Sequence, residues 1–310
     1  MKGTVMRSTG SWYAVKCDDG EIRDCRIKGV LRIQGTKTTN PVAAGDHVIL
    51  DNSKEGQSQI ISVEPRKNYI IRRSVNLSRQ SHIIAANIDQ AMLFLTIKQP
   101  EIPLGFIDRF LVTAEAYHIP VIILFNKSDI YNADELSVVK ALASEYEKIG
   151  YRPVIFSAKK DDPAIIRQLL KDKVTLFSGH SGVGKSTLIN KIQSGLGLKT
   201  RQVSDYHEKG QHTTTFAEMF FLDFGGAVID SPGIKGFGLV DMEKEELSHF
   251  FPEMRNRMHQ CRFNNCRHIN EPGCAVKKAV DDGEIWENRY VNYLSIYHDD
   301  EDETYRGKGY

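Results

Sequence analysis

The sequence has few cysteines, no long apolar run and almost no net charge. Five cysteines among 310 residues are too few, and odd in number, for a fold held by disulfides. No apolar run reaches the roughly 18–20 residues of a membrane-spanning helix, and the start of the chain lacks the apolar segment of a secretory signal. Lys+Arg total 41 and Asp+Glu total 40, so the net charge of +1 argues neither for nor against binding to nucleic acid. These absences exclude membrane-spanning and disulfide-rich classes and predict a cytoplasmic protein without a membrane partner.

Charge is nevertheless distributed unevenly along the chain. Residues 1–80 hold 14 Lys/Arg and 8 Asp/Glu, a local excess of +6. A basic stretch in this part follows Pro65 and is interpreted as an exposed linker: Arg66, Lys67, Arg72, Arg73 and Arg79. Residues 252–280 carry six Lys/Arg against two Asp/Glu, an excess of +4. Two basic surfaces favour binding to phosphates, although either alone could be an ordinary solvated face.

The first 65 residues have the pattern of short strands without a helix. Apolar and polar residues alternate at 2–7, 11–17, 21–28, 46–51 and 59–64. Turn signals such as Asp19-Gly20 and Gly45-Asp46 separate these strands. Five strands in so short a length predict a small β-barrel, for which an OB-fold is favoured and an SH3-like barrel stays open. Cys17 and Cys25 lie in these strands and are interpreted as packed thiols.

From residue 91 onward, strands alternate with helices. Buried strands are predicted at 91–96, 121–125, 154–157 and 174–178, with helices between them at 105–117, 134–149 and 163–171. Two further strands are predicted at 216–222 and 227–229. This alternation predicts a parallel sheet covered by helices. Near the C-terminus, residues at helical spacing predict the buried face of a terminal helix: Ile285, Trp286, Tyr290, Tyr293, Leu294 and Tyr297.

A phosphate-binding loop is predicted between a buried strand and a helix. Residues 179–186 match the pattern G-x-x-x-x-G-K-[ST]. Glycines let backbone N–H groups turn toward phosphate oxygens, and the helix N-terminus adds partial positive charge. Lys185 is expected to reach the β- and γ-phosphates, and Ser186 to bind Mg²⁺. The predicted contacts are Gly179, His180, Ser181, Gly182, Val183, Gly184, Lys185, Ser186 and Thr187.

A second phosphate-site element follows the strand predicted at 227–229. The run Asp230-Ser231-Pro232-Gly233 places a carboxylate at a strand end, where a P-loop protein needs a second anchor for Mg²⁺, often through water. Gly233 could present its N–H group to the γ-phosphate. An ordinary turn begun by Asp230 is the alternative for an isolated match, but the preceding P-loop favours the magnesium role.

Two motifs that also follow strands predict recognition of a guanine base. The run Asn126-Lys127-Ser128-Asp129 places a carboxylate that could accept hydrogen bonds from the ring N–H and the exocyclic amine of guanine. Adenine offers no such donor pair, so a buried carboxylate would stay unpaired against it. Lys127 would pack along the base and tether the phosphate loop. The run Ser157-Ala158-Lys159 could contact guanine O6 through backbone N–H groups, or form an ordinary strand-end loop.

Three cysteines and one histidine lie close together near the C-terminus. Cys261, Cys266, His268 and Cys274 form a Cys₃His set, which is standard for tetrahedral Zn²⁺. Four protein ligands leave no open position, so one structural zinc ion is predicted rather than a catalytic one. Metal binding would stabilise a small segment that has little apolar core of its own.

The order of the nucleotide motifs is unusual. The base motifs precede the phosphate motifs, the reverse of the common order, so the chain resembles a circularly permuted GTPase. With a barrel in front and a Cys/His cluster behind, nearly the whole chain resembles the RsgA (YjeQ) family of small-ribosomal-subunit-dependent GTPases. The resemblance implies three domains: an OB-fold barrel at 1–68, a permuted α/β P-loop GTPase domain at 72–238, and a mainly helical zinc-binding domain with an acidic tail at 241–310.

The resemblance also implies a switch I motif, G-x-H-T-T-T, at residues 210–215. Thr214, in preference to Thr213, would contact Mg²⁺ and the γ-phosphate. Ile234 stands where Ras-like enzymes have a glutamine that orients the attacking water, and an apolar side chain cannot do this. His212 is therefore expected to orient the water, with His180 as the second choice and turn capping as the alternative role of His212. Together, Lys185, His212 and Thr214 form the expected catalytic set.

By the same resemblance, the chain would bind the small (30S) ribosomal subunit and its 16S rRNA, hydrolyse GTP to GDP and phosphate, and assist late maturation of the subunit. A monomer is expected. A metabolic P-loop phosphotransferase is the second hypothesis, against which the basic flanking modules and N-K-x-D weigh. A non-catalytic RNA-binding protein that senses the nucleotide is the third, left open by Ile234. Because switch II runs almost directly into the zinc module, the orientation of that module is expected to differ between GTP and GDP.

Overall fold

The computed structural model describes residues 1–28, 40–52, 58–73, 81–196, 198, 217–231 and 242–298. Its first five strands are β1 (Lys2–Ser8), β2 (Tyr13–Cys17), β3 (Ile22–Ile27), β4 (His47–Asn52) and β5 (Ser58–Val63). They pair in the closed order β1-β2-β3-β5-β4-β1, antiparallel throughout except β3 with β5. This circuit is the predicted OB-fold barrel. Val5, Val15 and Ile60 are fully buried inside it, and Cys17 and Cys25 are buried free thiols, as predicted.

The segment interpreted from its charge as an exposed linker contains a strand, so that interpretation is wrong. Strand β6 (Tyr69–Arg73) pairs with β7 (Ser81–Ala86) in a separate two-stranded antiparallel sheet. Ile70 is fully buried, and Arg66 forms an ion pair of 2.7 Å with the buried carboxylate of Asp46. The surrounding basic residues hid an apolar run that is too short to predict a strand from periodicity.

The middle of the chain forms a second, mainly parallel set of strands. They are β8 (Gln90–Leu95), β9 (Val121–Phe125), β10 (Arg152–Ile155), β11 (Val174–Ser178), β12 (Glu218–Phe221) and β13 (Ala227–Asp230). Their spatial order is β10-β9-β8-β11-β13-β12, and only β12 is antiparallel to its neighbour. The helices are α1 (Leu104–Ala116), α2 (Ala133–Ile149), α3 (Ala164–Leu170) and α4 (Lys185–Ile192). Every residue of β8 and β9 is buried, which confirms a parallel sheet covered by helices.

The barrel and the parallel sheet are continuous through one strand contact. Arg7 of β1 pairs with Glu218 of β12, so the strands of both parts belong to one eleven-stranded sheet. The ammonium group of Lys16 on β2 lies 3.9 Å from the ring centroid of Phe221 on β12. Strand β12 therefore contacts the barrel at its first and last residues, Glu218 and Phe221.

The C-terminal part is mainly helical and has its own apolar cluster. It contains 3₁₀ helices at Lys244–Phe250 and Met258–Gln260, with α5 (Pro252–Arg255), α6 (Ala275–Asp281) and α7 (Glu287–His298). Helix α7 is the predicted terminal helix, and its residues Tyr293 and Tyr297 are buried with Phe251 and Met254. Among the described residues, no helix has both the length and the apolar character needed to cross a membrane.

A buried charged network joins the C-terminal part to helix α1. The guanidinium of Arg289 on α7 is fully buried and donates to Asp108 of α1 at 2.7 Å. It also donates to both carboxylate oxygens of Glu253, at 2.7 and 3.2 Å. Asp108 additionally accepts hydrogen bonds from Tyr146 and Asn292. Every charge in this joint has a charged partner, which is the condition under which buried ions are tolerated.

Candidate functional site

The predicted phosphate loop lies between β11 and α4, as the motif requires. Gly179, Gly182 and Gly184 all adopt positive φ, at +143°, +82° and +101°. A Cβ on Gly184 would lie 2.3 Å from the Asn126 amide nitrogen, and one on Gly179 would lie 2.7 Å from the carbonyl oxygen of Phe94. Conformation and space both require glycine at these two positions, and the loop therefore curls tightly over the strand ends.

Lys185 lies inside this curl as the first residue of α4. Its side chain is buried, and its ammonium donates to the carbonyl oxygens of Gly179 at 2.8 Å and His180 at 3.2 Å. Burial lowers the pKa of Lys185, and the nearby carboxylate of Asp230 opposes that change. A desolvated cation held within a glycine-rich loop at the start of a helix is suited to bind an anion such as phosphate.

Asp230 ends β13, directly beside the strand that leads into the phosphate loop. It is in register with Phe177 of β11, and the next residue, Ser231, donates its hydroxyl to the Phe177 carbonyl at 2.8 Å. One carboxylate oxygen of Asp230 is buried without a hydrogen-bond partner among the described residues. Burial raises the pKa of Asp230 to about 6. An unsatisfied carboxylate oxygen at this point fits a magnesium site, because hard oxygen ligands and bound water are what Mg²⁺ prefers.

Asn126 connects the two halves of the predicted nucleotide site. Its side-chain amide donates to the carbonyl oxygen of Val183 in the phosphate loop at 2.7 Å. Its amide oxygen accepts the backbone N–H of Ala158 at 2.9 Å, in the second base motif. Asn126 is 1% exposed, so this bridge is shielded from water. A single side chain therefore fixes the spacing between the phosphate loop and both base motifs.

The carboxylate expected to read the base is oriented by a serine. Ser157 donates its hydroxyl to Asp129 at 2.6 Å, and its own backbone N–H is held by Asp161 at 2.7 Å. Lys127 adopts a left-handed conformation with φ of +65°, and its ammonium donates to the carbonyl oxygen of Gln99. Partial burial lowers the pKa of Lys127. The structure thus brings the runs 126–129 and 157–159 to one place beside the phosphate loop.

The remaining predicted residues fall into two groups. Ser181, Ser186 and Thr187 lie in the phosphate loop and the first turn of α4, and the ring of His180 packs against Phe106 of α1 at a centroid distance of 4.2 Å. The second group lies outside the described residues: His212, Thr213, Thr214, Gly233 and Ile234. The roles expected of both groups stay predictions.

The four predicted metal ligands converge. The ligand atoms of Cys261, Cys266, His268 and Cys274 all lie within 4.8 Å of one another. The histidine faces the thiols with Nδ1, which is 3.6 Å from Cys261 Sγ and 3.4 Å from Cys274 Sγ. Three thiols and an imidazole nitrogen at these separations match the donor set of a tetrahedral Zn²⁺ site, in which metal–ligand distances are about 2.0–2.3 Å.

Sequence reasoning missed the residues that hold the metal-ligand loop in place. Glu271 accepts three backbone N–H groups, from Arg267 and Ile269 at 2.9 Å and from Asn270 at 3.1 Å. Two tyrosines of α7 also support this loop, because Tyr290 donates to the His268 carbonyl at 2.6 Å and Tyr293 to the Arg267 carbonyl at 2.5 Å. Sequence reasoning also missed Tyr131 at the nucleotide site, which donates to the Asn126 carbonyl at 2.7 Å. None of these contacts leaves a signal in sequence spacing.

The geometry defines a class of protein. A phosphate loop and an N-K-x-D motif follow β11 and β9, two parallel strands on either side of β8. Their chain order is reversed, as in a circularly permuted P-loop GTPase behind an OB-fold barrel. Two family models match the chain: RsgA GTPase over residues 63–240 and RsgA N-terminal domain over residues 2–60. The chain belongs to the RsgA family of GTPases, which confirms the resemblance and the fold class. As a GTPase of this family, it acts with a guanine nucleotide and Mg²⁺.

Relatives and solved structures agree with this assignment over the full chain. The chain is 55% identical over 307 residues to the small ribosomal subunit biogenesis GTPase RsgA of Bacteroides fragilis, covering 99% of both. It superposes on the crystal structure of YjeQ from Thermotoga maritima with a TM-score of 0.76 at 35% identity, covering 96% of each chain. It also superposes on YloQ, described as a circularly permuted GTPase, with a TM-score of 0.72 at 30% identity, covering 100% of this chain and 96% of that one.

Proposed function

We propose that this GTPase hydrolyses GTP to GDP and phosphate in response to the small (30S) ribosomal subunit, and that it assists late maturation of that subunit in the cytoplasm. The B. fragilis relative is named a small ribosomal subunit biogenesis GTPase and shares 55% identity. The proposed binding of a guanine nucleotide is supported mainly by the two hydrogen bonds of the Asn126 side chain. One buried amide contacts the phosphate loop and the second base motif, and so sets the distance between phosphate and base sites.

Base recognition would depend on Asp129. With its carboxylate oriented by Ser157 at 2.6 Å, it can accept the two N–H groups of guanine, which adenine does not offer. Lys127 would lie along the base, and Ser128, Ala158 and Lys159 would complete the pocket through backbone groups.

Phosphate and magnesium binding would depend on the phosphate loop together with Thr214, Asp230 and Gly233. Lys185 would exchange its carbonyl contacts at 2.8 and 3.2 Å for the β- and γ-phosphates. Ser186 and Thr214 would be direct magnesium ligands, Asp230 would act through water, and Gly233 would donate its N–H to the γ-phosphate. When bound, Mg²⁺ would neutralise the charge that develops on the transferred phosphoryl group.

Hydrolysis would be an in-line attack of water on the γ-phosphate, with His212 orienting the water. Ile234 stands at the position of the usual glutamine and cannot do this. Removing a group with this role is expected to lower the stimulated rate by about 10²–10⁴-fold. His212→Ala should therefore bind GTP normally and lose subunit-stimulated turnover. Unchanged stimulated turnover in this variant would exclude His212 and direct attention to His180.

The Cys₃His cluster would hold one structural Zn²⁺ ion. The four ligand atoms already lie within 4.8 Å of one another, and the set leaves no position for substrate. Zinc would stabilise the C-terminal domain, whose ligand loop is otherwise held by Glu271, Tyr290 and Tyr293.

The partner would be 16S rRNA within the subunit. The excess of +6 over residues 1–80 and of +4 over residues 252–280, on either side of the GTPase domain in the sequence, supports this partner because cations attract RNA phosphates. We also propose that the chain is a monomer in solution. Its three domains would span residues 1–68, 72–238 and 241–310.

Phosphate release from GTP, measured with and without purified small subunits, tests the proposed function. A slow basal rate that rises strongly with subunits is expected, and large subunits serve as the control. Phosphate transfer to a metabolite without ribosomal stimulation would instead support a phosphotransferase. Absence of turnover at saturating subunits would support a non-catalytic, nucleotide-sensing RNA-binding protein.

A further inference from the structure

A hollow of about 330 Å³ lies on the outer face of the barrel, where β1, β2 and β3 run side by side. Its lining residues are Arg7, Thr9, Trp12, Ala14 and Asp24. Arg7 pairs with Ala14, and Ala14 pairs with Asp24 on the next strand. Ala14, which has the smallest side chain, therefore lies between Arg7 and Asp24. The hollow forms above Ala14 because its two neighbours are larger.

One wall of the hollow is an indole ring. The guanidinium carbon of Arg26 lies 4.2 Å from the ring centroid of Trp12, in cation–π geometry. Trp12 lines the hollow and Arg26 does not. Nucleic-acid bases stack on aromatic rings supported in this way, irrespective of sequence.

The cation of the hollow has a second partner. Arg7 is 3.4 Å from Glu218, and the two side chains are 50% and 29% exposed. An ion pair of this length and exposure contributes little, so a phosphate group can compete with Glu218 for the guanidinium. Glu218 is the first residue of β12, and β12 begins three residues after the run 210–215 that the family resemblance identifies as switch I.

We infer that this hollow binds one unstacked nucleotide of a single-stranded RNA segment, and that Arg7 links its occupancy to the strand that leaves switch I. The base would stack on Trp12, with its N–H groups toward Asp24. Its phosphate would bind Arg7 and weaken the Arg7–Glu218 contact. The inference rests on the proposed function, since it names a contact through which RNA of the subunit would influence the GTPase domain.

RNA binding to the hollow is tested by tryptophan fluorescence. The chain has two tryptophans, so in a Trp286→Phe background Trp12 is the one that remains. A ten-nucleotide single-stranded RNA of mixed sequence should quench the fluorescence, and the same sequence as a duplex should not. Trp12→Leu should weaken binding of fluorescein-labelled RNA by about 5- to 150-fold, the range for loss of one stacked base. Ile61→Ala, an exposed apolar position of β5 outside the hollow, is the control and should have no effect.

Arg7 and Glu218 give opposite predictions. Arg7→Gln should weaken RNA binding and reduce the slope of log affinity against log salt by about 0.7, since one phosphate contact is lost. Glu218→Gln should strengthen binding by up to about fivefold, because the competing carboxylate is gone. Unchanged affinity in Trp12→Leu, or weaker RNA binding in Glu218→Gln, would overturn the site.

The link to switch I is tested with intact small subunits. Arg7→Gln should leave the basal rate of GTP hydrolysis unchanged and lower the stimulated rate by up to about fivefold, the limit for an exposed ion pair. An unchanged stimulated rate in this variant would overturn the link. These failures differ from failure of the proposed function, in which the unmodified protein itself shows no stimulation by subunits.

Discussion

Removal of Arg289 is expected to loosen the joint between the C-terminal domain and helix α1. Its guanidinium is fully buried and lies 2.7 Å from both Asp108 and Glu253. In Arg289→Met, both carboxylates would lose their cation, and the side chain of Asp108 is itself fully buried. Removing one partner of a buried pair costs about 3–5 kcal/mol, because an uncompensated charge stays behind. We expect a loss of this size in the free energy of unfolding.

Arg255→Met is the matched control. Arg255 joins the same two parts of the molecule through an ion pair of 3.2 Å with Glu115 of α1, but its side chain is 46% exposed. Exposed pairs contribute about 0.2–1 kcal/mol, so the same change of side chain should have a small effect here. The comparison separates burial of the charge from mere removal of an arginine.

Urea unfolding followed by the fluorescence of Trp286 measures this joint. The Trp286 ring packs edge-on against Tyr146 of α2 at 5.7 Å, and a Trp12→Phe background removes the other tryptophan. Because a chain of several domains need not unfold in one step, the transition reported by Trp286 is the one to compare. If Arg289→Met and Arg255→Met lowered the free energy of unfolding by equally small amounts, the conclusion that burial makes Arg289 more important would be wrong.

Three further outcomes are expected. Asp129→Asn should lower GDP affinity by at least about 100-fold, since two hydrogen bonds to a charged group are lost. The variant should instead favour xanthosine diphosphate, because the 2-carbonyl of xanthine can accept a hydrogen bond from the new amide. Titration calorimetry measures both affinities. Burial raises the pKa of Asp230 to about 6, so binding of Mg²⁺–GDP should weaken as the pH falls below about 6, and Asp230→Asn should abolish this dependence. Chelation should release one Zn²⁺ per chain to a colorimetric dye and shift the unfolding transition of Trp286 to lower urea, because metal binding stabilises the folded ligand loop.

Each of these outcomes has a contradicting result. Unchanged preference for guanine in the Asp129 variant would remove this carboxylate from base recognition. A flat pH profile between 5 and 7 in the unmodified protein would show that Asp230 does not act through its ionised form. An identical Trp286 transition before and after metal release would exclude a stabilising metal in the Cys₃His cluster.

Features that depend only on residues close together in the chain could be predicted from the sequence. The glycines at 179 and 184 are required by φ and by space, and their spacing to Lys185 is part of the motif, so the loop was predictable. Strands β8 and β9 are apolar at every position except Gln90 because both faces are covered, and this pattern is short-range. The four metal ligands lie within one short run, so their convergence needed no knowledge of the fold.

Contacts between residues far apart in the chain could not be predicted. Arg289 and Asp108 are separated by 181 residues, and neither lies in a motif that identifies the other. Strand β6 was hidden among basic residues because its burial depends on β7 and on the ion pair between Arg66 and Asp46. In both cases a charged residue looks solvent-exposed in the sequence, and only tertiary structure supplies the partner that lets it be buried.

The central claim is that the segments 126–129, 157–159 and 179–186, reversed in chain order, surround one guanine nucleotide. A crystal structure of the protein with GDP and Mg²⁺ tests this most directly. The account predicts the guanine ring against Lys127 with its N–H groups on Asp129, and the β-phosphate beside Lys185. A base far from Asp129, or a diphosphate bound away from the phosphate loop, would contradict it.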